Sequence, residues 1–440
     1  MTYLGYFKWS AFRKLAISLV ALTAFYACSD DEQKEPYIFQ KTDITIEEPP
    51  EGFTAEVEQL FKLTAQSVSN EGMSYQWLID SVPTSDSKTL ETMFNQGGEY
   101  KITFIASQGN ISFEYPYIVK VQFPDIEPIP EGATAYITQV FDYMPAVGQF
   151  TNKMPTYEDG DTQTDMNAKV LEKIGNNNNS MITLGGYGGY VTVGFDHTIE
   201  NKKGLRDFRV LGNAFYANAN PDPNAPKGGS CEPGIIMVAF DANGNKQPDD
   251  NEWYEIAGSS HVDVSKETFY QKGVDAGNDM NFYRNYQITY HRPAKEPETD
   301  KEKAQYIRWT DNKGDEGYMT KNSFHSQPYF PQWAEGDKLT FKGSRLPENG
   351  IDESGAGSYY VLYKFRYGYA DNDKNNADGS AIDIDWAVNA KGQTVKLPGI
   401  DFIKIYGGVN QENGWLGECS TEVTGINDLH MLEEEIPSGI

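Results

Sequence analysis

Asp241, Asn243, Asn245, Gln247, Asp249 and Glu252 put oxygen-bearing side chains at the first, third, fifth, seventh, ninth and twelfth positions of one loop. A loop wraps Ca²⁺ with this spacing, because a hard cation takes roughly six to eight oxygens and alternate residues of a tight turn point inward together. Gly244 sits fourth rather than sixth, and the flanks Ile235 to Phe240 and Trp253 to Ile256 read as strands, so no helix-loop-helix hand is expected. A calcium ion here would be structural, neutralising crowded carboxylates. The plain alternative is a polar hairpin turn in which Asp and Asn satisfy their own backbone.

A second acidic group combines Asp371 and Asp373 with Asp383 and Asp385. In a strand the last two share a face, and all four carboxylates could converge on a cation or a ligand hydroxyl. The alternative is a solvated face. The segment 322–333 holds Phe324, His325, Tyr329, Phe330 and Trp333 between prolines. Flat rings beside amides suit a sugar ring or a macrocycle, and His325 could reach a metal. The same residues would equally serve as plugs at the edge of a sandwich. Tyr216 and Trp415 lie in two further loops dense in Asn and Gly, where recognition or simple turn formation is expected.

Little points to catalysis. The five histidines have no metal-ligand spacing, and neither a nucleophile elbow nor a Gly-rich phosphate loop is present. The chain is expected not to be an enzyme, although a glycoside hydrolase needs only two suitably separated carboxylates and the sequence has 64 acids to draw on.

Strands must position these loops. Aromatic residues at 13% favour sheets, and short alternating runs separated by Gly, Asn, Ser and Pro recur along the chain. Between residues 37 and 125 the runs Phe53 to Val57, Ser74 to Ile79, Tyr100 to Ser107 and Tyr117 to Val121 predict a small sandwich. Pro124, Pro128 and Pro130 make a stiff acidic connector, with the linker at 126–133. From 134 to 440 the expected strands are Thr134 to Val140, Tyr190 to Phe195, Phe208 to Leu211, Gly234 to Phe240, Trp253 to Ile256, Tyr286 to Tyr290, Lys338 to Phe341, Tyr359 to Phe365 and Phe402 to Tyr406. One helix is expected, from Asp165 to Ile174. The predicted class is all-β, with a larger sandwich of two packed antiparallel sheets in a jelly-roll-like arrangement.

The first 27 residues combine Lys8, Arg13 and Lys14 with an apolar run from Leu15 to Ala27, too short to span a bilayer. They read as a signal peptide ending at Cys28, the expected lipidation site, with residues 28–36 as a tether. Cleavage would take the formal charge from −27 to −30. A field of that sign repels phosphate backbones, so no nucleic acid is expected as a partner. With Cys28 lipidated, Cys231 and Cys419 are left to form one disulfide or stay as buried thiols.

Ser29, Asp30, Asp31 and Glu32 after the cysteine resemble the acidic export signal of Bacteroidetes surface lipoproteins. Tyr75-Gln76-Trp77, followed by the run from Gly97 to Ile102, resembles their PKD-like immunoglobulin-type modules, with Trp77 filling the core. Over 130–430 the runs 188–197, 212–215, 231–234, 249–255, 384–388 and 398–402 resemble a family of such lipoproteins with an N-terminal PKD-like domain. Some members are similar in context to proteins that accompany receptors for vitamin B12. The resemblance implies a lipid-anchored protein on the outer face of the outer membrane. It would capture a ligand, cobalamin or another corrinoid first, for a TonB-dependent transporter. A glycan-binding lipoprotein of a polysaccharide-uptake system and a calcium-stabilised adhesion scaffold are the alternatives.

Overall fold

Trp77 has no solvent exposure, and its burial explains the first sandwich. The computed structural model describes residues 37–176, 180–217 and 225–439; Cys28, the signal and the tether lie outside them. Strand Met73–Ile79 stands in a five-stranded sheet in the order Phe53–Glu56, Ile111–Gln122, Gly98–Gln108, Met73–Ile79, Val82–Ser85. Phe53–Glu56 runs parallel to Ile111–Gln122, and the other pairs are antiparallel. Leu60–Thr64 pairs with Thr89–Met93 to form the facing layer. Trp77, Phe104 and Ile102 meet Phe61, Leu63 and Leu90 between the two layers.

Beyond the linker, the centre is a six-stranded antiparallel sheet in the order Gln139–Met144, Tyr190–Glu200, Gly399–Gly407, Gly234–Ala239, Trp253–Ile256, Ala387–Val388. Alternate residues point to opposite faces. Val191, Val193, Ile236, Val238, Ile403 and Ile405 face a core shared with the helix Gln163–Ile174 and with the sheet Ala381–Ile382, Phe208–Leu211, Gly425–Asp428. Ile235 and Tyr406 face the other way, towards the sheet Phe215–Tyr216, Gly228–Ser230, Tyr360–Tyr363, Gly350–Asp352. Tyr187, Ala146 and Val147 carry that layer on to a fourth sheet, ordered Glu316–Met319, Ile307–Asp311, Tyr283–His291, Lys338–Arg345.

The all-β sandwich class is as expected, but two sheets do not suffice. Ile235 and Ile236 are both fully buried, so the central sheet is apolar on both faces and needs a cover on each. The helix begins at Gln163 because Thr162 caps it, in a reciprocal capping box with Asp165. The strand expected at Thr134 starts at Gln139 instead. No disulfide links Cys231 and Cys419; both are buried free thiols. Phe240 and Ala242 of the second unit pack into the first unit's core, and Phe123 meets Phe240 edge-on at 5.8 Å.

Candidate ligand-binding site

Trp309 and Gly317 are cross-strand partners at the edge of the fourth sheet. A Cβ on Gly317 would lie 2.6 Å from Trp309 Cζ2, so the missing side chain lets the half-buried indole lie flat across the neighbouring strand. The indole borders a cleft of about 450 Å³, lined also by Tyr290, Tyr318, Asn278, Asn410, Gln411 and Glu412. Glu348 and Glu418 add carboxyl groups to its walls.

The opposite wall is a small hairpin in which Glu412 bridges to Glu418. Three ties hold it against the sheets. Glu412 accepts from the amide and hydroxyl of Thr320 at 2.6 and 3.1 Å. Gln149 Nε2 donates to the Leu416 carbonyl at 2.6 Å. Glu418 Oε1 accepts from the Gln149 amide at 2.7 Å. Burial, reinforced by the nearby carboxyls of Glu412 and Glu232, pushes Glu418 up to about 8. It therefore holds its proton more tightly than an ordinary carboxyl does. Aromatic, amide and carboxyl groups around one concavity suit a polyhydroxylated ligand, whose ring faces stack and whose hydroxyls both donate and accept.

The expected aromatic loop is divided by the fold. Tyr329 and Phe330 are core residues at 0% and 3% exposure, which corrects their reading as ligand shelves. Asn152 Nδ2 donates to the carbonyls of Pro328 and Phe330 at 2.8 and 2.9 Å and draws the segment inward. Trp333 stacks between Tyr143 and Tyr157 and donates its Nε1 to Gln163. His325 packs edge-on against Phe150, and burial lowers its basicity. Phe324 and Trp415 do face solvent, at 72% and 52% exposure. Their loops share Gln149, whose Oε1 accepts from Asn322 Nδ2 at 2.5 Å. Tyr216 is half-buried; its hydroxyl donates to Asp373, and Lys374 lies over its ring at 4.9 Å.

In the loop expected to bind calcium, Asp241 accepts from the amides of Asn245 and Lys246, and Asn245 Oδ1 accepts from the Gln247 amide. Gln247 spends its own side chain on the Lys246 carbonyl, outside the acidic cluster. Asp249 and Glu252 do converge, and Glu58 of the first unit joins them. Burial, aided by Glu58, Asp241 and Asp249, pushes Glu252 up to about 8.

Asp371, Asp373, Asp383 and Asp385 do not form one site. The strand stops at Ile382, and Asp383 caps the turn Ile384–Trp386 by accepting from the Asp385 amide. Asp385 pairs instead with Lys396, and Asp373 with Lys364. Asp371 belongs to a cluster that sequence reasoning missed: its carboxyl lies within 4.8 Å of those of Glu232 and Glu422. Asn213 and Ala214 amides donate to Asp371 Oδ1, the Glu422 amide to Oδ2, and the Ser420 amide to Glu232. Burial raises all three, Glu232 to about 7, and repulsion between the carboxyls adds to it at Asp371 and Glu422.

A larger groove of about 730 Å³ runs between the linker and the loop at 241–246. Its rings pair with one another, Phe141 on Phe402 at 5.2 Å, and Asp401 is spent on Thr198 and the Asp241 amide. The cleft at Trp309 is the better-equipped concavity.

No family model matches the chain, and neither does any curated protein. Among solved structures, the chain is similar to a quinonprotein alcohol dehydrogenase-like protein from Bacteroides thetaiotaomicron at 17% identity, over 35% of this chain and 33% of that one, with a TM-score of 0.15. It thus spans about a third of that protein's length. It is also similar to a SusE-like protein, at 7% identity over 88% and 97% of the two chains and a TM-score of 0.20. A third is the SGBP-B of a Bacteroides ovatus mixed-linkage glucan utilization locus, in complex with a heptasaccharide, at 11% identity over 74% and 99% with a TM-score of 0.16. Overlaps this slight carry no argument about function. The all-β architecture stands on the strands themselves.

Proposed function

We propose that the chain is a non-catalytic binding protein, anchored at the cell surface through Cys28, that captures a neutral glycan in the cleft at Trp309 for a TonB-dependent transporter. The observation that carries this reading is the indole laid over Gly317 at the rim of a cleft lined with amides and carboxyls. A sugar ring stacks its C–H face on such a surface while its hydroxyls find the polar groups. The formal charge of −27 disfavours acidic polysaccharides and leaves neutral ones. Glu412 and Glu418 are engaged in holding Thr320 and Gln149, which suits positioning rather than bond cleavage.

Calorimetric titration of the mature chain with neutral oligosaccharides tests this, with cyanocobalamin as the second arm. Saturable glycan binding that Trp309→Ala weakens about tenfold or more is expected. Saturable binding of cyanocobalamin with none to any glycan would reassign the ligand to a corrinoid.

A further inference from the structure

We propose that the cleft at Trp309 is one end of a longer track, carried on by the exposed rings of Phe324 and Trp415, and that the ligand taken is an extended chain of several neutral sugar rings rather than a mono- or disaccharide. The inference rests on the reading of the cleft as a glycan site and names the length of glycan that this site takes.

Two segments leave the cleft side by side. One starts at Tyr318 and the other at Glu412, both of which line the cleft. Glu412 accepts from the amide and hydroxyl of Thr320, which joins the segments at the rim. Further out Gln149 joins them again, because its Oε1 accepts from Asn322 Nδ2 and its Nε2 donates to the Leu416 carbonyl. The tie at Thr320 and Glu412 and the tie at Asn322 and Leu416 come in the same order along both segments, so the two advance in one direction. Phe324 and Trp415 lie at their far ends, and the two rings stand together beyond the rim.

Both rings are held on fixed backbone. Asn322 Oδ1 accepts from the amides of Phe324 and His325 at 3.0 and 3.1 Å, a turn that sets the chain beneath the phenyl ring. Trp415 is the middle residue of the single turn Gly414–Leu416, where Gly414 has a φ of +55° and a Cβ would lie 2.6 Å from the Tyr360 hydroxyl. Gln149 spends each of its polar atoms on the arrangement: besides the two side-chain bonds, its amide donates to Glu418 and its carbonyl accepts from Gln327 Nε2. A single exposed ring is ordinary, but two set by one glutamine at the mouth of a cleft make a platform. Stiff side chains on an ordered backbone lose little freedom when a ligand covers them. Sugar rings that reach past the cleft can stack their C–H faces there while their hydroxyls stay in water.

Calorimetry of the mature chain against cellobiose and cellohexaose, maltose and maltohexaose, and mannobiose and mannohexaose tests this, with affinity read against chain length. In a series that binds, the hexasaccharide is expected to bind at least about tenfold more tightly than the disaccharide. Phe324→Ala and Trp415→Ala should each weaken the hexasaccharide about threefold. The double variant should remove the gain with length, while disaccharide affinity and Tm stay as in the wild type, and Trp309→Ala should weaken both lengths. Equal affinity for the two lengths overturns the proposal and leaves the glycan reading of the cleft standing. So does a gain with length that survives the double variant. If neither length binds in any series, the glycan reading itself fails and the track falls with it.

Discussion

Gln411 and Gly350 hold each other twice: the Gly350 amide donates to Gln411 Oε1 at 2.8 Å, and Gln411 Nε2 donates to the Gly350 carbonyl at 2.8 Å. The pair fixes one wall of the cleft to the strand Gly350–Asp352. A Cβ on Gly350 would lie 1.8 Å from Asn413 Oδ1 and 2.9 Å from Gln411 Oε1. Gly350→Ala should therefore push the hairpin outward, at a stability cost of about 1–3 kcal/mol. Glycan affinity should fall more than threefold by calorimetry while the fold survives. Unchanged affinity would detach the hairpin from ligand binding.

Trp309→Ala should weaken glycan binding about tenfold or more, a loss of about 1.4 kcal/mol. Gly317→Val is the sharper variant, because it keeps the tryptophan but lifts its ring from the strand. If Gly317→Val binds as well as the wild type, the flat indole is not the platform.

Glu232, Asp371, Glu422 and Glu418 all titrate above their usual range through burial, with repulsion from neighbouring carboxyls adding at the last three. The unfolded chain releases these protons near pH 4–4.5, whereas the folded protein keeps them until about 7 for Glu232 and about 8 for Glu418. The folded state binds more protons across that window, so stability is full below it and is lost as pH rises through it. His197, raised by Asp428 and Asp196 against the opposing effect of burial, adds in the same direction. In chelator, Tm should be lower at pH 9 than at pH 5.5, and Glu422→Gln should shrink the difference. A Tm that climbs with pH over this range contradicts the retention of these protons in the folded state.

Cys231 and Cys419 are both buried, and burial raises both thiols. In mature protein with Cys28 blocked, Ellman's reagent should find no reactive thiol in the native state and two after denaturation. Finding none in denaturant would reveal a disulfide.

Much of the scaffold was legible. Trp77 reads as core from the sequence, and the helix followed from its apolar spacing, although its start was read two residues late because the Thr162–Asp165 cap went unread. The run Gly234–Ala239 is apolar on consecutive residues, and this alone announces a strand covered on both faces. The site was less legible. Trp309 gains meaning only once Gly317 is known to lie opposite it, and pairing register is not written in either residue. Tyr329 and Phe330 looked like a shelf because the Asn152 that pulls them inward is far away in the chain. Asp383 and Asp385 alternate as strand residues would, but a side-chain cap turned the backbone instead.

Strand Gly399–Gly407 lies between Tyr190–Glu200 and Gly234–Ala239, so the middle of the central sheet is supplied by a segment synthesised long after both of its neighbours. Ile236, Val238, Val191 and Val193 have no complete partner until that segment arrives. The second unit cannot condense piecemeal behind an emerging N-terminus; its sheet must wait unfolded until that strand has emerged. Truncations that remove the final strands should therefore leave the first sandwich folded and the second a substrate for proteases.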